Sequence, residues 1–121
     1  MKIVLLDAKT LGSDIDLGVF KQFGYFEMFE TTSTSERLQH IGDAKIVLTN
    51  KVIIDQEIMD ACPNLGLICV CATGTNNIDM AYAKEKGIVV KNVAGYSTAS
   101  VTQTTFTLAL YLLSQMAYYD Q

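Results

Sequence analysis

The feature that most constrains the fold is an unbroken apolar run, Leu65–Cys71, which has Pro63 before it and Gly74 after it. A run of this kind, bounded by turn-forming residues, is typical of a strand buried on both faces in a parallel sheet. Shorter apolar runs separated by amphipathic stretches precede and follow it. This alternation favours βα units and a mostly parallel sheet.

The pattern predicts five strands that alternate with five helices. The strands are predicted over Lys2–Asp7, Tyr25–Glu30, Lys45–Thr49, Leu65–Cys71 and Ile88–Val90. Helices are predicted to open at Ser13 or Asp14, at Thr34 or Ser35, at Asp55, at an Asn76 and Asp79 capping pair, and after Gly95. The second strand alternates poorly, as edge strands do. The expected fold is α/β: a flavodoxin-like, doubly wound, mostly parallel five-stranded sheet with helices on both faces and a long final helix.

Composition and charge restrict the class of protein. The 121 residues suit one domain, and their net charge of −4 argues against a nucleic-acid partner. The first apolar run stops at Asp7, too early for a signal peptide, so we expect a cytoplasmic location. Three cysteines without CxxC spacing indicate reduced core thiols, and no cluster of potential ligands predicts a metal site.

The stretch from Asn92 to Tyr119 contains no charged residue. It is too rich in hydroxyl side chains for a membrane span, which needs about 20 predominantly apolar residues. We therefore expect no membrane insertion but a helix that protein covers on more than one side. The sequence then ends without a glycine or proline stop, which we interpret as an interruption.

Residues 72–77 form the predicted loop at the carboxyl end of the fourth strand, the edge at which open α/β sheets bind ligands. Backbone N–H groups around Gly74, ahead of a helix, suit a small carboxylate or phosphate, although a plain strand-to-helix turn explains the same pattern. The loops at 49–51 and 92–100 open at the same edge. Lys51 either adds positive charge to an anion site or serves solubility alone.

Other chemistry is poorly supported. None of the eight glycines has the spacing of a GxGxxG or P-loop motif. His40, the single histidine, is expected on the surface of the second predicted helix, with Glu36 as its only local acid. A phosphoryl-accepting receiver domain needs an aspartate where the third strand ends at Thr49-Asn50. A flavodoxin-like small-ligand domain needs a phosphate loop, and residues 7–13 contain no convincing one.

The run ATGTNNIDMAYAKEKGIVVKNVAGYSTASVTQTTFTLALYLL, residues 72–113, resembles the substrate-domain signature of the D-isomer-specific 2-hydroxyacid dehydrogenases. LTNKVIIDQEIMDACPNLGLICV, residues 48–70, is similar to the strand, helix and strand that precede it in that family. The resemblance covers essentially the whole chain. Within the family, the sequence is most similar to the glycerate dehydrogenase, or hydroxypyruvate reductase, branch.

The resemblance implies substrate-binding positions in three loops. The backbone of Thr73 and Gly74 would hold the substrate carboxylate. Asn50 and Lys51 would line the substrate side of the cleft, and Tyr96 would lie near it. The small-molecule substrate would be a 2-keto or 2-hydroxy acid.

The resemblance also implies a larger enzyme. Residues 1–100 would form the substrate-binding domain, and residues 101–121 a truncated interdomain helix that contributes to a homodimer. Val101 would contact the nicotinamide ring of NAD or NADP. The GxGxxG site and the catalytic arginine, glutamate and histidine of such enzymes belong to a nucleotide-binding domain that this sequence lacks. We therefore expect the substrate-binding part of an NAD(P)-dependent D-2-hydroxyacid dehydrogenase, inactive and without bound cofactor when alone.

Overall fold

A computed structural model describes residues 2–11, 21, 24–71 and 74–92, which contain a five-stranded parallel sheet. Its strands are β1 (Lys2–Leu5), β2 (Tyr25–Met28), β3 (Ile46–Thr49), β4 (Leu67–Val70) and β5 (Val89–Asn92). They lie in the order β2-β1-β3-β4-β5, and every neighbouring pair is parallel. This is the flavodoxin-like strand order, so the predicted α/β fold with a five-stranded parallel sheet is confirmed.

Three α-helices connect the strands within these ranges: α1 (Arg37–Ile41), α2 (Gln56–Ala61) and α3 (Met80–Lys86). Short 3-10 turns precede them at Ala8–Leu11 and Thr34–Glu36. The predicted helices after Ser13 or Asp14 and after Gly95 lie outside the described residues. In the part of the chain that the structure describes, no helix is long and apolar enough to cross a bilayer.

Side-chain caps determine where two of these helices begin. Asp55, as predicted, caps α2 by accepting a hydrogen bond from the Ile58 N–H at 3.2 Å. The predicted capping role of Asn76 is wrong. Asp79 is the cap of α3, because its carboxylate accepts a hydrogen bond from the Tyr82 N–H at 3.1 Å.

The core lies on both faces of the sheet. Every residue of β3 and β4 is buried, as the Leu65–Cys71 run predicts, although β3 and not β4 takes the middle position. One face of the sheet packs against the three helices through a cluster that includes Val47, Ile68 and Met59. On the other face, Ile3 and Ile46 are also fully buried. Strand β2 is at an edge and partly exposed, as expected.

The three cysteines are free thiols, as the sequence predicts. Cys62 and Cys69 are buried, and Cys71 is half-buried. Burial raises the pKa of Cys69 and of Cys71 to about 12, because the interior disfavours the charged thiolate. Since the thiolate is the reactive species, these thiols are chemically inert near neutral pH.

The packing predicts a large difference between two isoleucines. Ile68→Ala leaves a cavity in the core and should lower the free energy of unfolding by about 2–5 kcal/mol. Ile53→Ala removes a side chain that is 56% exposed and should change it by about 0.5 kcal/mol or less. Urea denaturation of both variants checks this, and equal losses would contradict the described core.

Candidate functional site

The candidate site lies at the carboxyl edge of the sheet, where the loops after β3 and β4 are joined. The Ile54 N–H donates to the Asn77 carbonyl at 2.8 Å, and the Asp79 N–H donates to the Ile54 carbonyl at 3.0 Å. These bonds make an isolated parallel bridge between Ile54 and Ile78. The Asn77 side-chain amide also donates to the Val52 carbonyl at 2.8 Å. The two loops therefore form one hydrogen-bonded unit.

Strand β1 holds the first turn of the β3 loop through Asp7. The Asn50 N–H lies 2.9 and 3.1 Å from the two Asp7 carboxylate oxygens, and the Lys51 N–H donates to Oδ2 at 2.7 Å. The next amide, that of Val52, donates to Thr49 Oγ1 at 3.1 Å. Three successive N–H groups are thus bound to side chains of the sheet and its ends.

Two predicted site residues, Asn50 and Lys51, extend from this turn. Lys51 is exposed, and its ammonium makes no ion pair with the rest of the described chain. It borders a cavity of about 490 Å³ beyond the ends of β1, β2 and β3, whose wall also includes Thr10 and Thr32. The wall also contains the acidic Asp7 and Glu30 and the basic Lys9 and Arg37, so Lys51 is one of several charged groups around this cavity.

Gly74, the third predicted site residue that the structure describes, lies in the adjoining β4 loop. It is exposed, and its N–H makes no hydrogen bond with other described residues. Among the described residues, a Cβ atom placed on Gly74 would meet nothing within 4 Å. The backbone is therefore open to a ligand on that side.

The structure thus brings Asn50, Lys51 and Gly74 to one edge of the sheet. Thr73, Tyr96 and Val101 lie outside the described residues, and the predictions for them stay predictions. No group of three potential metal-ligating side chains occurs within the described ranges.

Sequence reasoning missed the structural role of Arg37, a buried residue that is 6% exposed. Its Nε donates to the Thr34 carbonyl at 3.0 Å, and its Nη1 donates to the Ile53 carbonyl at 2.8 Å. Nη1 also lies 3.3 Å from Asp55 Oδ2. Arg37 therefore holds the far end of the β3 loop. The only signal in the sequence was a single arginine four residues before the buried Ile41.

Asp55 balances opposing influences on its pKa. Burial raises the pKa, but hydrogen bonds from the Ile58 N–H and Arg37, together with the Arg37 charge, outweigh burial and lower it below the ordinary aspartate value. The ionised form is therefore the one that stabilises the folded chain. This contribution is present above the unfolded-state pKa and is lost as the pH falls through the folded-state pKa.

His40 is not the surface residue that the sequence predicts. Its ring stacks on Phe29 with a centroid separation of 3.7 Å, and its Nδ1 lies 2.8 Å from Thr32 Oγ1. Because the Thr32 hydroxyl donates its proton to the Leu6 carbonyl at 2.6 Å, the histidine Nδ1 must be the donor to Oγ1. His40 therefore joins α1 to the loop after β2, and the Thr32 hydroxyl joins that loop to the end of β1.

Comparison with known proteins decides the family. The sequence matches the model for the D-isomer specific 2-hydroxyacid dehydrogenase catalytic domain over residues 3–118. The chain belongs to this family. It is 39% identical over 125 aligned residues to the hydroxypyruvate reductase of Blautia hydrogenotrophica, covering 100% of this chain and 39% of that protein. It is 32% identical to the glycerate dehydrogenase of Methylorubrum extorquens, covering 84% of this chain and 32% of that one.

Solved structures of 2-hydroxyacid dehydrogenases agree with the fold. The NAD⁺-bound 3-phosphoglycerate dehydrogenase of Entamoeba histolytica superposes with a TM-score of 0.61 at 25% identity, over 76% of this chain and 32% of that one. The apo D-lactate dehydrogenase of Escherichia coli gives a TM-score of 0.60 at 23% identity, over 80% and 32%. The chain therefore spans about two-fifths or less of the length of its family relatives.

The Arg37–Asp55 pair predicts a pH-dependent difference between two helix caps. Asp55→Asn keeps a capping oxygen but leaves the buried Arg37 without its counter-charge, which should cost about 1–3 kcal/mol at neutral pH. Asp79→Asn keeps its cap and should change stability by about 0.5 kcal/mol or less.

The measurement is the free energy of unfolding in urea across the acidic range. The Asp55→Asn deficit should shrink as the pH falls through the folded-state pKa of Asp55, because the native chain then loses the same charge. A deficit that stays constant over that range would contradict the ionic role of Asp55.

Proposed function

We propose that this chain is the substrate-binding domain of an NAD(P)-dependent D-2-hydroxyacid dehydrogenase, which transfers hydride reversibly between nicotinamide and a 2-keto or 2-hydroxy acid. The observation that supports it most is that two loops joined by the Ile54–Ile78 bridge each expose a group suited to an anion, the Gly74 backbone on one and the Lys51 side chain on the other. The names of the relatives, hydroxypyruvate reductase and glycerate dehydrogenase, favour a small hydroxy acid of this class.

In this proposal the two loops contribute different groups to the substrate carboxylate. The Asn50 and Lys51 amides donate to Asp7, so the β3 loop offers the ligand side chains and not these two N–H groups. The β4 loop offers backbone N–H groups at Gly74 and, by the family resemblance, Thr73. A fixed carboxylate orients the adjacent keto carbon, and Tyr96 would border the same cleft.

The nicotinamide cofactor supplies or accepts the hydride when it is bound. The described residues do not suit a dinucleotide, because the buried Asp7 carboxylate stands at the end of β1, where such loops bring glycine close to a pyrophosphate. We therefore assign the cofactor to a nucleotide-binding domain of a longer protein, with Val101 at the nicotinamide ring. Residues 1–100 would be the substrate domain of a cytoplasmic homodimer, and residues 101–121 its interdomain helix.

A receiver-like activity is not supported at this edge. Phosphoryl transfer to a receiver requires an exposed aspartate after β3. The residue at that strand end is Thr49, which is fully buried and whose hydroxyl accepts the Val52 N–H. The Asp7 carboxylate is likewise occupied by the Asn50 and Lys51 amides.

The proposal predicts that catalysis requires the second domain. Because the sequence contains no GxGxxG motif, the 121-residue chain should not oxidise NADH with glyoxylate, pyruvate or hydroxypyruvate. The two-domain enzyme should turn over the same substrates, and the loss of NADH absorbance measures this turnover. Turnover by the 121-residue chain alone would contradict the proposal that a second domain binds the cofactor and supplies the catalytic residues.

The second test concerns Gly74. An added methyl group there should leave the stability of the fold unchanged but should interfere with binding of the substrate carboxylate. Gly74→Ala should leave the free energy of unfolding unchanged within about 0.5 kcal/mol, because the added Cβ meets no atom of the described residues within 4 Å. In the two-domain enzyme it should raise the KM for hydroxypyruvate about tenfold or more, since a displaced carboxylate weakens binding.

The matched control is Gly66→Ala, at the opposite end of β4. A Cβ there would make only ordinary contacts, with Lys45 atoms at 3.9 and 4.0 Å. We expect its KM to equal that of the wild type. If the two alanine variants have the same KM, the carboxylate does not bind at Gly74.

A further inference from the structure

We propose that Asp7 is a positioning residue for the substrate, acting through the Asn50–Lys51 turn. The inference deepens the proposed function and rests on it, because Asp7 does not itself contact the substrate. Its carboxylate fixes the position of the Lys51 backbone, and the Lys51 ammonium then binds the substrate carboxylate.

Asp7 is well placed to hold the first turn of the β3 loop. Its carboxylate accepts the Asn50 and Lys51 N–H groups at distances of 2.7–3.1 Å. The residue is 5% exposed, so water competes little for these bonds. Hydrogen bonds to a charged acceptor are stronger than neutral ones, and both donors belong to the same turn.

The Asp7 backbone is itself immobilised by the sheet. The Leu6 N–H donates to the Leu48 carbonyl at 3.0 Å, and the Ala8 N–H donates to the Phe29 carbonyl at 2.9 Å. The residues on either side of Asp7 are thus hydrogen-bonded, Leu6 to β3 and Ala8 to the end of β2. Thr10 adds two bonds to the Asp7 carbonyl, from its N–H at 3.0 Å and from its hydroxyl at 2.7 Å. The carboxylate is therefore a rigid reference point.

An asparagine at position 7 cannot reproduce this arrangement. Its amide has one acceptor oxygen, and the NH₂ group that replaces the second oxygen would face an N–H donor. The Asn50–Lys51 turn should then move, together with the Lys51 ammonium. Because Lys51 binds the carboxylate and not the hydride, the expected effect falls on substrate affinity more than on the chemical step.

The experiment measures steady-state kinetics of the two-domain enzyme with hydroxypyruvate and NADH. Asp7→Asn should raise the KM for hydroxypyruvate about tenfold and leave kcat and the KM for NADH within about twofold. The matched control is Asp43→Asn, whose carboxylate is 78% exposed and pairs with Lys2 at 3.6 Å at the opposite edge. It should leave all three constants unchanged.

A double variant separates positioning from a merely structural role. If Asp7 acts through Lys51, then Asp7→Asn should raise KM in the Lys51→Gln background by about twofold or less, since the two effects are not additive. Amide hydrogen exchange provides an independent readout on the 121-residue chain. The Asn50 and Lys51 amides should exchange about tenfold faster or more in Asp7→Asn, while exchange in β4 stays near wild type.

The outcomes distinguish this inference from the proposed function. If Lys51→Gln raises KM and the folded Asp7→Asn enzyme does not, the positioning role is wrong and the proposed function stands. If neither Lys51→Gln nor Gly74→Ala changes KM, the proposed function itself fails. Should Asp7→Asn not fold, Asp7→Glu tests the same turn by displacing the two acceptor oxygens by one methylene. It should raise KM in the same direction, and an unchanged KM would overturn the inference.

Discussion

The parallel pairing of β1 with β3 is the interaction on which the site depends. It aligns Leu5 with Leu48, so that the residues just beyond both strands leave the sheet side by side. Asp7 can therefore accept hydrogen bonds from amides 43 and 44 residues further along the chain. A change of one residue in this register would move Asp7 away from Asn50 and leave a buried carboxylate without its donors.

Around this pairing, the loops are hydrogen-bonded to one another as well as to the sheet. Arg37 binds the carbonyl of Ile53, and Asn77 binds the carbonyl of Val52, so both neighbouring connections hold the β3 loop. Within this frame the Lys51 side chain and the Gly74 backbone are exposed. A rigid site can orient a small acid precisely. Few protein groups have to become ordered when the acid binds, so little binding free energy is lost to ordering.

Much of the fold could be predicted from local patterns. Apolar runs located all five strands, most clearly β3 and β4, which are buried on both faces. Asp55 marked the start of α2 correctly, since capping involves only neighbouring residues. Strand limits were less accurate: β1 ends at Leu5, two residues before its predicted end.

The features that sequence reasoning missed depend on contacts between distant residues. Nothing local distinguishes Asp7 as the acceptor for the β3 loop, or Arg37 as a donor to Ile53, because each pair meets only after the sheet forms. His40 lies on a short helix, and its burial arises from Phe29 on another element. The family resemblance led to Asn50, Lys51 and Gly74, but it did not indicate what holds them in place.

The most direct test of this account is a crystal structure of the two-domain enzyme with a bound 2-keto acid. The account predicts the ligand carboxylate within hydrogen-bonding distance of the Gly74 N–H and the Lys51 ammonium, with Asp7 still bound to the Asn50 and Lys51 amides. A carboxylate bound elsewhere, for example beside Lys2 and Lys45 at the amino edge of the sheet, would contradict it.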